Sequence, residues 1–329
     1  MASTRIVIAG ASSLLGAELK SLLEESRFAA ADFRLVDEEI AAGTLTEAAG
    51  EAAVIRPVEE DSFDRASIIF FTGPAIFTKT NMPLAQRSGA VIVDLSGALA
   101  ANSDAVFFFT NLELLKPNTS LTAPKLFAIP GAAAMAAASL SLFLAKFGPE
   151  HLSFLALQPV SESGKKGIEE LEQQTGQLLS FQSVGSPIFD TQVGFNLLDR
   201  FGPSSKESLS AARERLRCEI SAVLGQSAKT PAVQLIHAPV FYGHAFSLSA
   251  RLESTADAPQ LVAAAKSGGL QVSSDSASSN VSAAGESLIE LAAPEKDSSA
   301  QDVWWFWGAA DNIRLPAFNA VKLAERLLR

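Results

Sequence analysis

The feature that most constrains the fold is a strand, a glycine turn and a helix near the N-terminus. Residues 5–9, Arg-Ile-Val-Ile-Ala, form a compact apolar run that leads into Gly10, and residues 17–25 show helical periodicity. An apolar strand followed by a glycine turn and a helix is typical of the first unit of a parallel sheet. A helical segment follows at 78–88, among further candidate strands at 33–36, 53–57, 67–71, 90–94 and 105–109. This alternation predicts an α/β fold with a Rossmann-type, doubly wound parallel sheet.

The second half of the chain has a different pattern. Longer candidate strands at 152–160, 233–237 and 246–252 alternate with amphipathic segments at 167–179 and 206–224, which predicts an α+β domain. A chain of 329 residues has room for about two domains of roughly 150 residues each. We predict a first domain of residues 1–128 plus a C-terminal helix at 312–329, and a second domain of residues 129–311. Residues 267–287, rich in Ser, Gly and Ala, are predicted as a mobile surface loop.

Composition argues against several classes of partner. The 26 basic and 36 acidic residues give a net charge of −10, which repels nucleic acid and anionic lipid surfaces. Residues 131–147 are apolar but rich in alanine and interrupted by polar residues, so we predict a buried helix and no membrane span. One cysteine and three histidines predict no disulfide, no metal site and a reducing, cytoplasmic location. Cys218 lies in the middle of a helical pattern, which favours a packed structural thiol over a catalytic one.

The glycine turn is a candidate dinucleotide site. Gly10 and Gly16 stand where the first and last glycines of a dinucleotide fingerprint belong, but the middle position holds Ser13, whose Cβ crowds the path of a pyrophosphate. The backbone N–H groups and the helix dipole would still favour an anion. The turn is therefore either a cofactor site or only a structural connection. The candidate contacts are Gly10, Ser12, Ser13, Leu14, Leu15 and Gly16.

Asp37 is the candidate partner of an adenosine ribose. It stands at the end of the second candidate strand, about where dinucleotide-binding folds carry an acidic side chain. Glu38 and Glu39 beside it would repel a 2′-phosphate, so NAD is favoured over NADP. The competing interpretation is an acidic, solvated loop without a ligand.

Three spaced motifs carry a resemblance to a known family. These are Gln-Pro-Val-Ser at 158–161 with Gly-Lys-Lys-Gly-Ile-Glu-Glu at 164–170, Pro-Val-Phe-Tyr-Gly-His at 239–244, and Asp-Asn-Ile-Arg at 311–314 with Asn-Ala-Val at 319–321. Over nearly its whole length the chain resembles the aspartate-semialdehyde dehydrogenase family, more closely its USG-1-like branch. The resemblance implies that the second domain is a dimerisation and substrate domain. It also implies cofactor contacts at Gly73, Ser96 and Asn319.

The resemblance implies a site that lacks its nucleophile. Enzymes of the family form a thioester on a cysteine, and the corresponding stretch here, 129–134, reads Ile-Pro-Gly-Ala-Ala-Ala and places Ala132 at that position. Methyl groups form no covalent intermediate, so the family mechanism cannot operate there. His244 resembles the general base and Gln158 the side chain that orients the substrate carbonyl. Arg215 and His237, which replaces an arginine, stand at the anion contacts.

Three hypotheses follow from these residues. The first is a catalytically inactive homologue that binds a nucleotide or small anion, as a homodimer or as a heteromer with an active relative. The second is an NAD(P)-dependent oxidoreductase acting on a carbonyl compound without covalent catalysis, with His244 as acid or base. The third is a dimeric scaffold in which His244 is only a hydrogen-bonded pocket residue. The aromatic run Trp-Trp-Phe-Trp at 304–307 predicts core or interface packing, and we favour an interface.

Overall fold

The computed structural model describes residues 4–328 except 42, 49–50, 118–124, 254–255 and 274–275. The chain divides into two compact units. Unit 1 comprises Met1–Thr110, Asn118–Gly131 and Pro316–Arg329, and unit 2 comprises Asn111–Pro117 and Ala132–Leu315. The sequence analysis placed the boundaries at 128 and 312. It also placed residues 111–117 in the first domain, whereas they belong to unit 2.

The strands and helices are named in chain order. The strands are β1 (Arg5–Ala9), β2 (Asp32–Asp37), β3 (Leu45–Ala48), β4 (Glu51–Val54), β5 (Arg56–Pro57), β6 (Ile68–Phe71), β7 (Val91–Asp94), β8 (Val106–Phe107), β9 (Leu126–Ala128), β10 (Pro149–Gln158), β11 (Ala232–His237), β12 (His244–Leu252), β13 (Gln271–Ser273), β14 (Ile289–Ala292), β15 (Glu295–Lys296) and β16 (Val303–Ala310). The α-helices are α1 (Leu14–Glu24), α2 (Ala75–Arg87), α3 (Thr110–Leu115), α4 (Ala132–Leu144), α5 (Gly164–Leu179), α6 (Leu209–Leu224), α7 (Ala258–Ser267) and α8 (Arg314–Leu327). Three short 3₁₀ helices cover Glu39–Ala41, Ala145–Phe147 and Val160–Ser163.

Unit 1 contains the predicted doubly wound sheet. Its seven strands lie in the order β5-β2-β1-β6-β7-β9-β8, and the strand pairs are parallel. The central strands β1 and β6 are buried because they are continuous apolar runs, as expected for a parallel sheet covered on both faces. The parallel arrangement brings the carboxyl ends of β1, β2 and β6 to one edge, which is where such sheets bind ligands.

The predictions for unit 1 need two corrections. The single strand predicted at 53–57 is divided between β4, which forms an antiparallel hairpin with β3, and β5, which joins the main sheet. Ile55 separates the two, and its N–H donates to the carbonyl of Thr44 outside either ladder. The strand predicted at 105–109 shrinks to the two residues of β8, because the chain turns into α3 at Thr110.

Unit 2 contains a mixed sheet in the order β11-β10-β12-β16-β14-β13, with β15 paired to β16. Strand β10 pairs parallel with β11 and antiparallel with β12. The alanine-rich segment forms α4, in which nearly every residue is buried. A small second core lies under α5, where Val160, Leu171, Phe189 and Val193 pack together.

Two further sequence expectations concern unit 2. The segment predicted as a surface loop at 267–287 contributes β13 to the sheet and buries Leu270 and Ala283, so its prediction as a plain loop is wrong over these described residues. The small side chains of this segment give no strand pattern, and β13 forms because it pairs with β14. In β16 the aromatic run alternates, with Trp304 and Phe306 buried and Trp305 and Trp307 about two-fifths exposed. One face of this strand is therefore core and the other is available for an interface.

Candidate functional site

The turn between β1 and α1 depends on close backbone approach. The amide of Gly10 donates to the carbonyl of Val36 at 2.8 Å, and Gly10 has φ +93°, which favours glycine. A Cβ on Gly10 would lie 2.1 Å from the nitrogen of Gly73, and one on Gly16 would lie 2.5 Å from the carbonyl oxygen of Gly10. Packing therefore requires glycine at positions 10 and 16, whereas a Cβ on Gly73 would lie 3.0 Å from the ring of Phe77, a contact that a small shift relieves. Gly73 is buried beside this turn, and it lies just after β6.

Ser13, at the middle position of the turn, is used by the fold. It is the N-cap of α1, and its Oγ accepts a hydrogen bond from the amide of Gly16 and donates to the carbonyl of Thr72, both at 2.9 Å. Its φ of −66° is ordinary, so the serine is not strained. The first-turn amides of α1, which include those of Leu14 and Leu15, have no acceptor within the helix and point from a positive dipole end. This helix start is suited to an anionic group.

Asp37 ends β2 and is held at the same edge. Its Oδ2 accepts the amide of Ser12 at 2.7 Å and its Oδ1 accepts the amide of Glu38 at 2.8 Å. The side chain lines a cavity of about 530 Å³, together with Glu38, Glu39 and Glu59 and the side chains of Ile76 and Phe77. A cavity of this size, with a fixed carboxylate at its end and apolar walls, fits an adenosine group. The residues present therefore fit a dinucleotide.

The other residues that the resemblance assigned to the cofactor have defined partners within unit 1. Ser96 follows β7, and its amide and hydroxyl both donate to Oδ1 of Asp94, at 2.8 and 2.6 Å. Asn319 is buried in α8, where its Oδ1 accepts hydrogen bonds from the amide and the hydroxyl of Thr110. Both side chains organise turns of unit 1, and cofactor contacts from them stay a prediction.

His244 is the centre of a polar cluster in unit 2. It is the first residue of β12 and is 4% exposed. Its Nδ1 lies 3.2 Å from the carbonyl oxygen of Leu157, and its Nε2 lies 3.2 Å from Oε1 of Glu162. A carbonyl and an ionised carboxylate are acceptors only, so both contacts are hydrogen bonds when each ring nitrogen carries a proton.

Glu162 has two further partners besides His244. The amide nitrogen of Asn312 donates to Oε1 at 3.1 Å, and Nη2 of Arg215 lies 3.2 Å from Oε2. Burial raises the pKa of Glu162, but the hydrogen bond and charge of His244, the charge of Arg215 and the Asn312 amide together lower it to about 2. The Glu162 side chain is 18% exposed, so this carboxylate is ionised at neutral pH in a partly buried site.

Asn312 fixes the geometry of this cluster. Its Oδ1 accepts the amide of Gly243 at 2.9 Å, and its Nδ2 donates to Oγ of Ser161 at 3.0 Å. It thereby connects the residue before His244 with the residue before Glu162. Asn312, from the quoted motif at 311–314, therefore belongs to the His244 cluster.

The predicted ligand-side residues do not all meet in this cluster. Gln158 ends β10 one residue beyond Leu157, and since Leu157 pairs with Ala245, Gln158 and His244 occupy neighbouring positions at one end of the two strands. Arg215 reaches the cluster from α6.

His237 does not join them. It is 1% exposed and packs against the rings of Phe189 and Phe201, and burial lowers its pKa to about 4 although a hydrogen bond with the carbonyl of Val193 raises it. A neutral, buried ring offers no charge to an anion, so His237 is not part of the proposed site.

Ala132 and Cys218 occupy ordinary helical positions. Ala132 is the first residue of α4 and is 1% exposed. Cys218 lies within α6, partly exposed, with its Sγ 3.9 Å from Oε1 of Glu214. Neither position brings a thiol to the His244 cluster. Among the described residues there is no group of three or more His, Cys, Asp or Glu that could hold a metal ion.

Sequence reasoning missed Glu162 and Asn312. Both lie inside or beside quoted motifs, but neither has an intrinsic signal, because an acidic residue after a strand is usually a solvated side chain. The usable signal was its place in the chain: Glu162 follows Gln158 by four residues, in a motif already assigned to the ligand.

No α-helix within the described ranges is long and apolar enough to cross a membrane.

Comparison with known proteins gives the same two-part division. Family models described as "Semialdehyde dehydrogenase, NAD binding domain" and "Semialdehyde dehydrogenase, dimerisation domain" match residues 5–116 and 140–315. A USG-1 protein homolog of Azotobacter vinelandii is 30% identical over 341 residues, covering 98% of this chain and 97% of that protein. The aspartate-semialdehyde dehydrogenase of Rickettsia bellii is 24% identical over 337 residues, with 98% and 97% covered. The solved structure of a probable aspartate-semialdehyde dehydrogenase from Pseudomonas aeruginosa is 27% identical, with a TM-score of 0.86 and 99% of each chain covered.

Proposed function

Because the chain belongs to the aspartate-semialdehyde dehydrogenase family, as a USG-1-like member, we propose that it is a dinucleotide-binding dimer without cysteine-dependent semialdehyde dehydrogenase activity. The observation that carries the proposal is Ala132, the first, buried residue of α4, at the position where the family resemblance implies a cysteine. A methyl group cannot attack a carbonyl carbon or leave from a thioester. The one cysteine, Cys218, contacts Glu214 on the same helix and is no evident replacement for the thiolate.

The cofactor is NAD in preference to NADP. A bound nicotinamide would supply or accept hydride. Residues of this chain would hold it through the first-turn amides of α1, the close approach of Gly10 and Gly73, and the carboxylate of Asp37. The cavity beside Asp37 is lined by Glu38, Glu39 and Glu59, whose negative charge opposes a 2′-phosphate.

The experiment is a titration with NAD, NADH, NADP and NADPH, each followed by calorimetry and by thermal unfolding. A ligand at 100 times its dissociation constant stabilises the folded state by about 2.7 kcal/mol, which is easily measured. We expect NAD and NADH to bind, NADP and NADPH to bind at least about tenfold more weakly, and Asp37→Ala to remove the preference. Asp32→Ala, at the opposite end of the same strand, is the matched control and should leave binding unchanged. Failure of all four dinucleotides to bind would overturn the proposal.

Activity provides the second half of the test. The protein should show no phosphate-dependent oxidation of aspartate semialdehyde with either NAD or NADP, and His244→Asn should not alter that background. Turnover by the unaltered chain that is lost with His244→Asn would contradict the proposal.

We propose that the dimer is formed by two copies of this chain. Support comes from the dimerisation-domain match of unit 2 and from the half-exposed face of β16 that carries Trp305 and Trp307. Sedimentation velocity should give twice the mass of 34.6 kDa. The other arrangement, a heteromer with an active relative, predicts a monomer that shifts only when such a relative is added.

A second candidate function is hydride exchange with a carbonyl compound without a covalent intermediate. The observation in its favour is the contact between His244 and the Glu162 carboxylate, because an imidazole paired with a carboxylate is suited to donating a proton. It predicts NADH oxidation by some ketone or aldehyde that is abolished by His244→Asn, in a protein that still binds the dinucleotide.

A further inference from the structure

One carboxylate in unit 2 contacts two of the side chains that the family resemblance assigned to catalysis and anion binding. Glu162 lies between His244 and Arg215, with Nε2 of His244 3.2 Å from one carboxylate oxygen and Nη2 of Arg215 3.2 Å from the other. The sequence assigned both side chains to a small-molecule ligand. Their donors are instead directed at a residue of the chain itself.

The contacts of Glu162 are those that a bound small anion would make. Oε1 accepts from His244 and from the amide of Asn312, and Oε2 pairs with the guanidinium of Arg215. Three donors from three separate parts of the chain therefore converge on one carboxylate. Since Glu162 is covalently attached, a free anion competes for these donors against a partner that is always present.

The surrounding charges leave little attraction for a further anion. A second carboxylate, Glu207, interacts electrostatically with the same groups. Burial raises the pKa of Glu207, the positive charge of Arg215 lowers it, and the negative charge of Glu162 raises it. Arg215 is 43% exposed and thus lies on the solvent side of the cluster, whereas the His244 side chain is 5% exposed. An anion that approached Arg215 from solvent would be repelled by the Glu162 carboxylate, which is already paired with the guanidinium.

We propose that Glu162 is a specificity-determining residue: it is an internal anion that occupies the donors of His244, Asn312 and Arg215, so that this site excludes phosphate- and carboxylate-bearing ligands. The residues of this subsite all belong to unit 2. The inference therefore goes beyond the dinucleotide proposal, and the two can fail separately.

The test is binding of inorganic phosphate to the full chain, by calorimetry and by the phosphate dependence of the melting temperature. The unaltered protein should show no saturable phosphate binding at millimolar concentration. Glu162→Ala vacates the subsite and should bind phosphate at least about tenfold more tightly, and this gain should disappear in the double variant Glu162→Ala/Arg215→Ala. Glu162→Ser also shortens the side chain and removes its charge, and it serves if the alanine variant does not fold.

The matched control is Glu214→Ala. Glu214 lies on α6 beside Arg215 and pairs with Arg217 at 3.5 Å, so its removal changes the net charge equally without opening the subsite. It should gain no phosphate binding. Phosphate should also shift the ring-nitrogen resonances of His244 in the Glu162 variant only, identified among the three histidines by His244→Asn. A folded Glu162→Ala or Glu162→Ser that binds phosphate no better than the unaltered chain, or a Glu214→Ala that gains as much, would overturn the proposal.

Discussion

The two candidate sites of this protein differ in the chemical groups that form them: main-chain groups in unit 1 and side chains in unit 2. In unit 1 the site is a backbone structure, in which an added Cβ would lie 2.1 Å (Gly10) or 2.5 Å (Gly16) from neighbouring backbone atoms, and a helix start supplies the amides. In unit 2 the site is a set of charged and polar side chains around His244 and Glu162. A backbone site persists as long as the fold does, whereas a side-chain site changes its specificity with one substitution. The proposed loss of a cysteine and the proposed role of Glu162 as an internal anion would both be changes of the second kind.

The largest effect should come from breaking the backbone site. A Cβ at Gly10 would lie 2.1 Å from the nitrogen of Gly73, so Gly10→Ala should cost more than about 3 kcal/mol of unfolding free energy or prevent folding. Gly43 also has positive φ, at +84°, but nothing lies within 4 Å of its Cβ position. Gly43→Ala should therefore cost only the conformational strain, about 1–2 kcal/mol. Urea unfolding measures both, and equal costs would show that the close approach does not matter.

The next effect is the pH dependence of the unfolding free energy, to which His237 and Glu162 of unit 2 contribute in different pH ranges. The folded-state pKa of His237 is lowered from 6.5 to about 4, so the unfolded chain takes up this proton first as the pH falls. The stability associated with His237 is complete above pH 6.5 and is lost between 6.5 and about 4, by up to about 3 kcal/mol. Glu162, with its pKa lowered from 4.5 to about 2, contributes stability above pH 4.5 that is lost between 4.5 and 2.

Two variants test which residue causes the loss of stability in each pH range. His237→Leu should flatten the unfolding free energy between pH 6.5 and 4, and Glu162→Gln should leave that window unchanged while it flattens the lower one. Chemical denaturation at a series of pH values provides the measurement. An unchanged slope in the upper window for His237→Leu would mean that another group titrates there.

The smallest effect sharpens the comparison at Ser13. Ser13→Ala removes the N-cap of α1 and should cost about 1 kcal/mol, whereas Ser13→Gly should cost only a few tenths. Because the glycine variant also removes the Cβ beside the expected pyrophosphate, it should bind NAD more tightly than the unaltered protein. Ser208→Ala, which removes the N-cap of α6, should have the same cost in stability without any effect on NAD binding. Unchanged or weaker NAD binding by Ser13→Gly would show that the serine does not crowd the cofactor.

The success of sequence reasoning differs between the two units for physical reasons. Strands β1 and β6 could be predicted because they are uninterrupted apolar runs that must be buried on both faces. Strand β13 could not, because Gln271, Val272 and Ser273 carry no such pattern and owe their conformation to the pairing with β14. Local periodicity reports burial of a segment, and it does not report a partner strand that is distant in sequence.

The same difference applies to the sites. Gln158 and His244 stand in recognisable motifs, and the structure places them at one end of β10 and β12. His237 was expected at a ligand because it replaces an arginine, yet its ring is enclosed by Phe189 and Phe201. Neither its neighbours in sequence nor its chemistry specifies that enclosure, which depends on the loop that contains Phe189 and Phe201.

By itself, the sequence determined the α/β class, the order of the two halves of the chain and the glycine turn after β1. These are properties of local patterns, since a glycine turn and an apolar strand are encoded by adjacent residues. Only the tertiary structure decided that Glu162 pairs with both His244 and Arg215, because these residues come from a 3₁₀ helix, a strand and a helix that are up to 82 positions apart. Charge pairing depends on distances of a few ångströms in space, which only the folded chain defines.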